Sequence, residues 1–69
     1  MTVLDCRGKP CPVPIIELAK AFGDLQVGET ITVLADDPAA GPDLRAWCRM
    51  REQTYDGADG TAHRITRIS

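Results

Sequence analysis

The sequence predicts an α/β (α+β) fold, a two-layer sandwich in which two helices cover one face of a four-stranded mixed sheet. Short segments rich in β-branched residues alternate with amphipathic segments in the order strand, helix, strand, helix, strand, strand. Turns that contain glycine and proline separate these segments. With 69 residues, of which 43% are hydrophobic, the chain has enough apolar surface for one small core. We therefore expect a single domain over residues 1–69.

The first predicted strand, residues 2–5, leads through a turn at residues 7–10 to a helix that ends near residue 22. We favour a helix start at Pro12, because this start makes Cys11 the N-cap. A start at Pro14 is the alternative, because proline disfavours helical geometry in the residue before it. Gly23 is expected to end the helix in left-handed geometry. The predicted buried stripe has the spacing i, i+3, i+4, i+7 and contains Ile15, Leu18, Ala19 and Phe22.

The second half of the chain predicts a buried strand, a helix and a hairpin. Residues 30–35 form the strand, and its core-facing residues are expected to be Ile31, Val33 and Ala35. The helix should begin within residues 36–43 and run to about residue 52, with one face formed by Leu44, Trp47, Cys48 and Arg51. Strands at 53–55 and 62–68 are joined by a turn at 56–60. Because Ile65 and Ile68 have opposite parity, the last strand should contain a bulge or be partly covered on both faces.

Cys11 stands at the start of the first predicted helix, in the sequence Cys-Pro-Val-Pro. A helix N-terminus stabilises a neighbouring anion by roughly 0.3–1 kcal/mol, so a thiolate is favoured there. Pro12 and Pro14 fix the direction of the chain but lack an N–H, which leaves the amides of Val13 and Ile15 as the nearest donors to the sulfur. In a strand-helix-strand unit this loop lies at the carboxyl edge of the sheet, where sites commonly form. We therefore predict a reactive, partly exposed thiol at Cys11.

Composition and charge argue against several classes of function. The net charge of -2, with scattered basic residues, provides no electrostatic footprint for nucleic acid. No apolar stretch approaches a membrane span, and the first residues do not resemble a secretion signal, so we expect a cytoplasmic protein. Three cysteines, an odd number, predict reduced thiols instead of a disulfide framework.

The remaining chemically interesting residues also have structural explanations. Cys48 shares the apolar face of the second helix, which predicts core packing. Two interpretations of Cys6 are equally supported: it packs at the end of the first strand, or it forms a disulfide with Cys11. His63 is expected at the surface of the last strand, and the aspartates at 36–37 are expected in capping or turn positions. A zinc site built from the three cysteines and His63 lacks the paired short spacings of zinc modules.

Five segments occur at the spacing of a known protein family: Leu4-Asp5, Gly8, Cys11-Pro12-x-Pro14, Gly28-Glu29 and Ala35-Asp36-Asp37-Pro38-Ala39. Together they resemble the TusA/SirA family of small sulfur-carrier proteins, and the similarity spans nearly the whole chain. The resemblance implies a two-layer sandwich without a prosthetic group or other cofactor. It also implies that Cys11 carries a persulfide.

Roles for the residues near Cys11 and for partner proteins can also be predicted. The residues expected to support the site are Asp5, Gly8, Pro12 and Pro14, and those expected to dock partners are Arg7 and Lys9. Similar carriers receive sulfur from a cysteine desulfurase or a rhodanese and pass it to an acceptor protein in tRNA thiolation, molybdenum-cofactor synthesis or sulfur oxidation. Independent catalytic turnover is not expected of them. The alternative hypothesis is a regulatory thiol module in which Cys6 and Cys11 switch between dithiol and disulfide.

Overall fold

The secondary-structure elements of the described residues follow one another in the predicted order. The computed structural model describes residues 2–10 and 12–69, and its elements are β1 (Thr2–Asp5), α1 (Val13–Phe22), β2 (Thr30–Leu34), α2 (Ala40–Arg51), β3 (Thr54–Asp59) and β4 (Ala62–Thr66). The strands form one sheet in the order β1-β2-β4-β3. β1 is parallel to β2, whereas β4 is antiparallel to both β2 and β3. The prediction of a mixed four-stranded sheet with two helices is confirmed.

The core lies between the sheet and the two helices. Its completely buried side chains are Leu18, Ile31, Val33, Leu44 and Ile65. The helices also contact each other, because the rings of Phe22 and Trp47 meet edge to face with their centroids 5.0 Å apart. Ile31, Val33 and Ala35 are all buried, which confirms the core-facing residues predicted for β2. Alternation along β2 thus places its large side chains under the helices.

α1 buries a different stripe from the predicted one. Pro14 and Leu18 are buried, Ile15 and Phe22 are half-buried, and Ala19 is exposed. Because Pro14 and Leu18 are four residues apart, they lie one above the other on the same side of the helix. The prediction for Ala19 is therefore wrong, and a proline in the first turn of the helix is part of the core.

The end of α1 also differs from the prediction. Gly23 has φ −62°, which is right-handed, so the expected left-handed ending is wrong. The two amides that follow donate hydrogen bonds to the carbonyls of Ala21 and Phe22, three residues back in each case. The chain therefore completes a tighter turn, and these terminal carbonyls are satisfied without a positive φ.

α2 lies within its predicted limits. It begins at Ala40 and ends at Arg51, and the next residue is left-handed. Leu44, Trp47 and Cys48 are buried as predicted. Arg51, the fourth residue predicted on this face, is exposed, and its guanidinium carbon lies 5.5 Å from the centroid of the Trp47 ring. No helix in the described ranges is long and apolar enough to cross a bilayer.

β3 is longer than predicted, with six residues, and β4 is shorter than predicted, with five. β3 continues to Asp59, and only Gly60 and Thr61 connect it to β4. Gly57 has φ +123° and lies at an irregularity after Tyr55, where the register with β4 shifts. The first glycine of the predicted turn therefore bends the strand instead of reversing it.

The residues after β4 hold the loop between α1 and β2. A guanidinium nitrogen of Arg67 donates to the carbonyl of Leu25 at 2.5 Å, and its planar group lies 5.3 Å from the centroid of the Phe22 ring. The Arg67 backbone bonds residues 28 and 29 through its carbonyl and its amide. β4 ends at Thr66, so Ile68 lies beyond the strand and is exposed. Ile65 and Ile68 therefore do not place apolar side chains on opposite faces of the same strand.

Candidate functional site

The carboxyl ends of the parallel strands β1 and β2 are adjacent, and the loops that follow them are tied together. The amide N–H of Gly8, in the loop after β1, donates a hydrogen bond of 3.0 Å to Oδ1 of Asp36, in the loop after β2. The amide of Cys6 extends the pairing of the strands by donating to the carbonyl of Leu34 at 2.7 Å. This edge of the sheet is where the sequence predicts a site.

A tight turn leads from β1 toward Cys11. The amide of Lys9 donates to the carbonyl of Cys6 at 3.1 Å, and Gly8, the third residue of the turn, has φ +79°. Residues with a side chain are strained at this φ, so the turn requires glycine. The predicted supporting role of Gly8 has a physical basis in both its φ and its bond to Asp36.

Arg7 and Asp5 form an ion pair on the surface of this turn. The Arg7 guanidinium donates to both carboxylate oxygens of Asp5, at 3.0 and 2.8 Å, and the Arg7 amide donates to Oδ1 at 3.1 Å. These hydrogen bonds lower the pKa of Asp5 to about 2. The positive charge of Arg7 is therefore largely compensated, although the sequence predicts Arg7 as a docking residue.

Lys9 is the second predicted docking residue, and its charge is less compensated. It is exposed, and the structure shows no ion pair between it and another residue of the described part of the chain. Its positive charge lowers the pKa of Asp5 and opposes the effect of burial on Cys6. Of the two basic residues in the turn, Lys9 provides the larger field for a nearby anion.

The first turn of α1 begins between the two predicted starts. The helix begins at Val13 with Pro12 as its N-cap, so neither Pro12 nor Pro14 is the first helical residue and the assignment of Cys11 as N-cap is wrong. The amide of Val13 donates to the carbonyl of Pro10 at 2.9 Å, and that of Ile15 donates to the carbonyl of Pro12 at 3.1 Å. Both amides predicted to face the sulfur therefore already have backbone acceptors.

The two prolines of the motif have different environments. Pro12 is exposed, whereas Pro14 is almost completely buried in the core. A buried ring in the first turn fixes the start of the helix in the core, and a proline there costs no helical hydrogen bond. Pro14 thus anchors the segment, while Pro12 remains at the surface.

Cys11 lies outside the described residues, so neither its predicted exposure nor the disulfide with Cys6, one of the two alternatives for Cys6, is tested. Its neighbours Pro10 and Pro12 are both exposed. The other two thiols belong to the core, because Cys6 is 1% exposed and Cys48 is 2% exposed. Burial raises the pKa of Cys6 and raises that of Cys48 to about 11. At neutral pH both are uncharged thiols, and packing is the correct interpretation of Cys48.

His63 is buried, so its predicted position at the surface is wrong. It occupies the inner face of β4 with 7% of its surface exposed, and its Nδ1 lies 2.8 Å from the hydroxyl of Tyr55. Burial lowers the pKa of His63, and a backbone hydrogen bond with Ala35 partly offsets this effect. A histidine in a short, irregular strand pattern gives no sequence signal for such a partner.

Asp36 and Asp37 have the predicted turn roles. Besides the bond from Gly8 to Asp36, the amide of Ala39 donates to Oδ1 of Asp37 at 2.8 Å, just before α2 begins. Within residues 2–10 and 12–69, no three His, Cys, Asp or Glu side chains are grouped so that they would hold a metal ion. Cys6, Cys48 and His63 therefore do not form the metal site considered from the sequence.

An apolar groove lies between the start of α1 and α2, and sequence reasoning missed it. Its volume is about 360 Å³, and its walls are formed by Pro12, Ile15, Asp43, Ala46, Trp47 and Met50. Met50 is 82% exposed, an unusual environment for a large apolar side chain at the end of a helix. The only sequence signal is that the four wall residues from α2 recur at helical spacing beside the buried face.

Comparison with known proteins gives one consistent result. A family model described as Sulfurtransferase TusA matches residues 2–66. Three curated relatives are named "Putative sulfur carrier protein". YrkF of Bacillus subtilis is 37% identical over 57 residues, which cover 83% of this chain and 31% of YrkF. YrkI of the same organism is 40% identical over 60 residues, with 80% of each chain covered.

The third relative, NMA0882 of Neisseria meningitidis, is 46% identical over 47 residues, which cover 68% of this chain and 64% of that protein. The chain thus spans less than two thirds of two of these three relatives. Among solved structures, the SirA-like protein from Desulfitobacterium hafniense superimposes with a TM-score of 0.75 at 26% identity, over 100% of this chain and 97% of that one. The fold predicted from the sequence resemblance is therefore also the fold of this neighbour.

Proposed function

We propose that this chain, which belongs to the sulfurtransferase TusA family, acts as a sulfur carrier that holds a persulfide on Cys11. The sulfur-carrier role itself follows from the family and from the names of the relatives. The choice of Cys11 rests on one observation. The other two cysteines are buried in the core, whereas the residues on both sides of Cys11 are exposed.

The proposed reaction is an exchange of one sulfur atom between thiolates. The Cys11 thiolate attacks the terminal sulfur of a donor persulfide, so a new S–S bond forms, the donor S–S bond breaks, and the donor leaves as a thiolate. An acceptor thiolate then attacks the terminal sulfur on Cys11 and restores the Cys11 thiolate. No net oxidation or reduction occurs, and the exchange needs no metal or base of its own.

Modest activation of the thiol suits this reaction. A helix N-terminus stabilises a nearby anion by roughly 0.3–1 kcal/mol, and the positive charge of Lys9 acts in the same direction. The amides of Val13 and Ile15 already have carbonyl acceptors, so they add little further stabilisation. A strongly acidic thiol would be a weaker nucleophile, since thiol exchange is fastest when the thiol pKa is near the ambient pH.

A sulfur carrier requires one protein that supplies sulfur and one that accepts it. We propose a cysteine desulfurase or a rhodanese as the donor, and an acceptor in tRNA thiolation, molybdenum-cofactor synthesis or sulfur oxidation, within the cytoplasm. The apolar groove at Pro12, Trp47 and Met50 adjoins the motif, and we propose that partners contact it together with Lys9. The compensated charge of Arg7 makes it the weaker of the two docking candidates.

The alternative, a regulatory thiol module of Cys6 and Cys11, is less well supported. Cys6 is 1% exposed and burial raises its pKa, so it provides little thiolate to attack an oxidised partner. Its amide is also bonded to the end of β2.

Intact-mass measurement after incubation with a cysteine desulfurase and cysteine tests the proposal. We expect a gain of one sulfur atom, which disappears in Cys11→Ser and persists in Cys6→Ala. Met50→Asp should slow loading without loss of stability, because Met50 is 82% exposed, and Arg64→Asp, on the exposed side of β4, is the control. Sulfur gain in Cys11→Ser would refute the assignment of the carrier residue, and loss of two hydrogens without sulfur gain would favour the alternative.

A further inference from the structure

The turn between β1 and Cys11 is tied to a segment 28 residues away in the chain. The amide N–H of Gly8 donates a hydrogen bond of 3.0 Å to Oδ1 of Asp36, which follows β2. Within the described part of the chain, the other hydrogen bonds of residues 7–10 are local and join residues at most three positions apart. The position of this turn relative to the loop after β2 therefore depends on the side chain of Asp36.

The backbone that carries Asp36 is held on both sides. The amide of Ala35 donates a hydrogen bond of 2.9 Å to the carbonyl of Thr61, in the turn between β3 and β4. On the other side, the carbonyl of Asp37 accepts the amide of Ala40, the first residue of α2, at 2.9 Å. Ala35 and Ala40 are both buried in the core. The Asp36 carboxylate therefore extends from a fixed segment, which allows it to restrain the exposed turn that it binds.

The chemistry of the two partners suits a restraint on the turn. Gly8 has φ +79°, a conformation that excludes most residues with a side chain, so its backbone amide is the group through which another segment can hold it. An ionised carboxylate accepts a backbone N–H more strongly than a neutral oxygen does. Asp36 thus holds the turn at the residue whose left-handed conformation defines it.

We propose that Asp36 is a positioning residue for sulfur transfer: its carboxylate holds the Gly8 amide and thereby fixes the turn through which Cys11 meets a persulfide donor. The inference rests on the proposed sulfur-carrier function for its consequence, because a displaced turn changes the approach of the donor. The hydrogen bond itself is independent of that function. Both Gly8 and Asp36 are exposed, so loss of the bond should affect the turn more than the stability of the core.

Three substitutions separate the hydrogen bond from the charge. Asp36→Ala removes both the acceptor and the negative charge, whereas Asp36→Asn removes the charge but keeps an oxygen that can accept from Gly8. Any electrostatic effect on the thiol is therefore common to these two variants. Glu29→Ala is the matched control, because Oε1 of Glu29 accepts the amide of Gln26 at 2.6 Å. This control loses the same kind of bond and the same charge at the opposite end of β2.

Exchange of the Gly8 amide with water, measured by NMR, tests the hydrogen bond. In Asp36→Ala this exchange should be roughly two- to tenfold faster than in the wild-type protein, as expected for the loss of one exposed hydrogen bond. Asp36→Asn should lie between the two, because its neutral oxygen accepts more weakly than a carboxylate. Glu29→Ala should leave the exchange of Gly8 unchanged. Equal exchange of Gly8 in the wild-type protein and in Asp36→Ala would overturn the proposal.

The rate of persulfide loading from a cysteine desulfurase is the functional measurement. Loading should slow by a similar factor in Asp36→Ala, be largely restored in Asp36→Asn and stay at the wild-type rate in Glu29→Ala. A merely structural role would lower the urea midpoints of the two alanine variants alike without slowing loading, and that result would overturn the positioning role. Equally slow loading in Asp36→Ala and Asp36→Asn would assign the effect to the charge and overturn it as well. If the wild-type protein does not load, the sulfur-carrier function and the consequence for transfer are refuted, whereas the exchange result for the hydrogen bond stands.

Discussion

Replacement of Gly8 with alanine tests whether the turn before Cys11 depends on a left-handed residue. Gly8 has φ +79°, and a Cβ at this position would meet no atom within 4 Å. The whole effect of the substitution therefore comes from backbone strain and none from a clash. A residue with a side chain costs roughly 1–2 kcal/mol in this conformation, so we expect the free energy of unfolding to fall by about that amount. For a domain of this size, each kcal/mol lowers Tm by about 4–8 °C.

Two other glycines provide matched controls for Gly8→Ala. Gly28 has φ +97° and equally open surroundings, but it lies at the opposite end of β2, so Gly28→Ala should destabilise the protein at least as much. Gly23 has a right-handed φ of −62°, and Gly23→Ala should stabilise the protein by up to about 1 kcal/mol. Urea denaturation of the three variants measures these differences.

The effect on sulfur loading separates strain at the site from strain elsewhere. At a temperature where all variants are folded, Gly8→Ala should load sulfur more slowly than the wild-type protein, whereas Gly28→Ala should load at the wild-type rate. Equal loading by the two variants would refute a positioning role for the Gly8 turn. An unchanged free energy of unfolding in Gly8→Ala would refute the strain argument itself.

Three further predictions concern the thiols, the ion pair and the far end of the fold. Iodoacetamide at neutral pH should modify Cys11 in the folded protein and spare the buried Cys6 and Cys48, and peptide mapping that finds all three modified under native conditions would contradict this. In an NMR titration of the folded protein, the Asp5 carboxyl should titrate near pH 2. Its ion pair should therefore stabilise the fold above the unfolded-state pKa of 3.8, and this contribution should be lost as the pH falls toward 2. Titration of Asp5 near pH 3.8 in the folded protein would contradict this prediction. Arg67→Met should lower the free energy of unfolding by roughly 1.5–3 kcal/mol through loss of the charged bond to Leu25, whereas the exposed Arg64→Met should change it little, and similar urea midpoints for both would contradict the role of Arg67.

The parts of the fold that follow from local pattern were predictable from the sequence. The alternation of Ile31, Val33 and Ala35 identified the inner face of β2, and helical spacing placed Leu44, Trp47 and Cys48 in the core. The element order then left few ways to arrange the sheet, because two amphipathic helices must cover the same apolar face. The family resemblance agreed with this arrangement, and the family-model match over residues 2–66 supports it.

The errors occurred where the sequence offers several equivalent solutions. Gly57 and Gly60 both accept positive φ, and only pairing with β4 decides which one forms the bulge and which one turns the chain. The buried stripe predicted for α1 is wrong because it omits Pro14, which is buried. Proline is rarely considered a core residue, so the spacing rule did not include it. His63 gave no signal, because the sequence does not reveal that the Tyr55 hydroxyl and the first turn of α2 face its ring.

The proximity of the loops after β1 and β2 was predictable, but their detailed geometry was not. Parallel pairing of β1 and β2 required their following loops to be neighbours, which the bond between Gly8 and Asp36 confirms. The acceptors of the Val13 and Ile15 amides depend on how the chain bends at Pro10 and Pro12, and no spacing rule provides that geometry. The groove at Met50 likewise depends on the angle between the two helices.

The irregularity at Gly57 also affects how copies of the protein meet. β3 is one border of the sheet, and it is bent at the register shift and carries the exposed carboxylates of Asp56 and Asp59. A bent border with like charges repels a second copy of itself and cannot align with it in a continuous ladder. The opposite border, β1, offers only four residues for such pairing. Both margins of the sheet thus resist edge-to-edge aggregation, which favours a carrier that must stay free to move between partners.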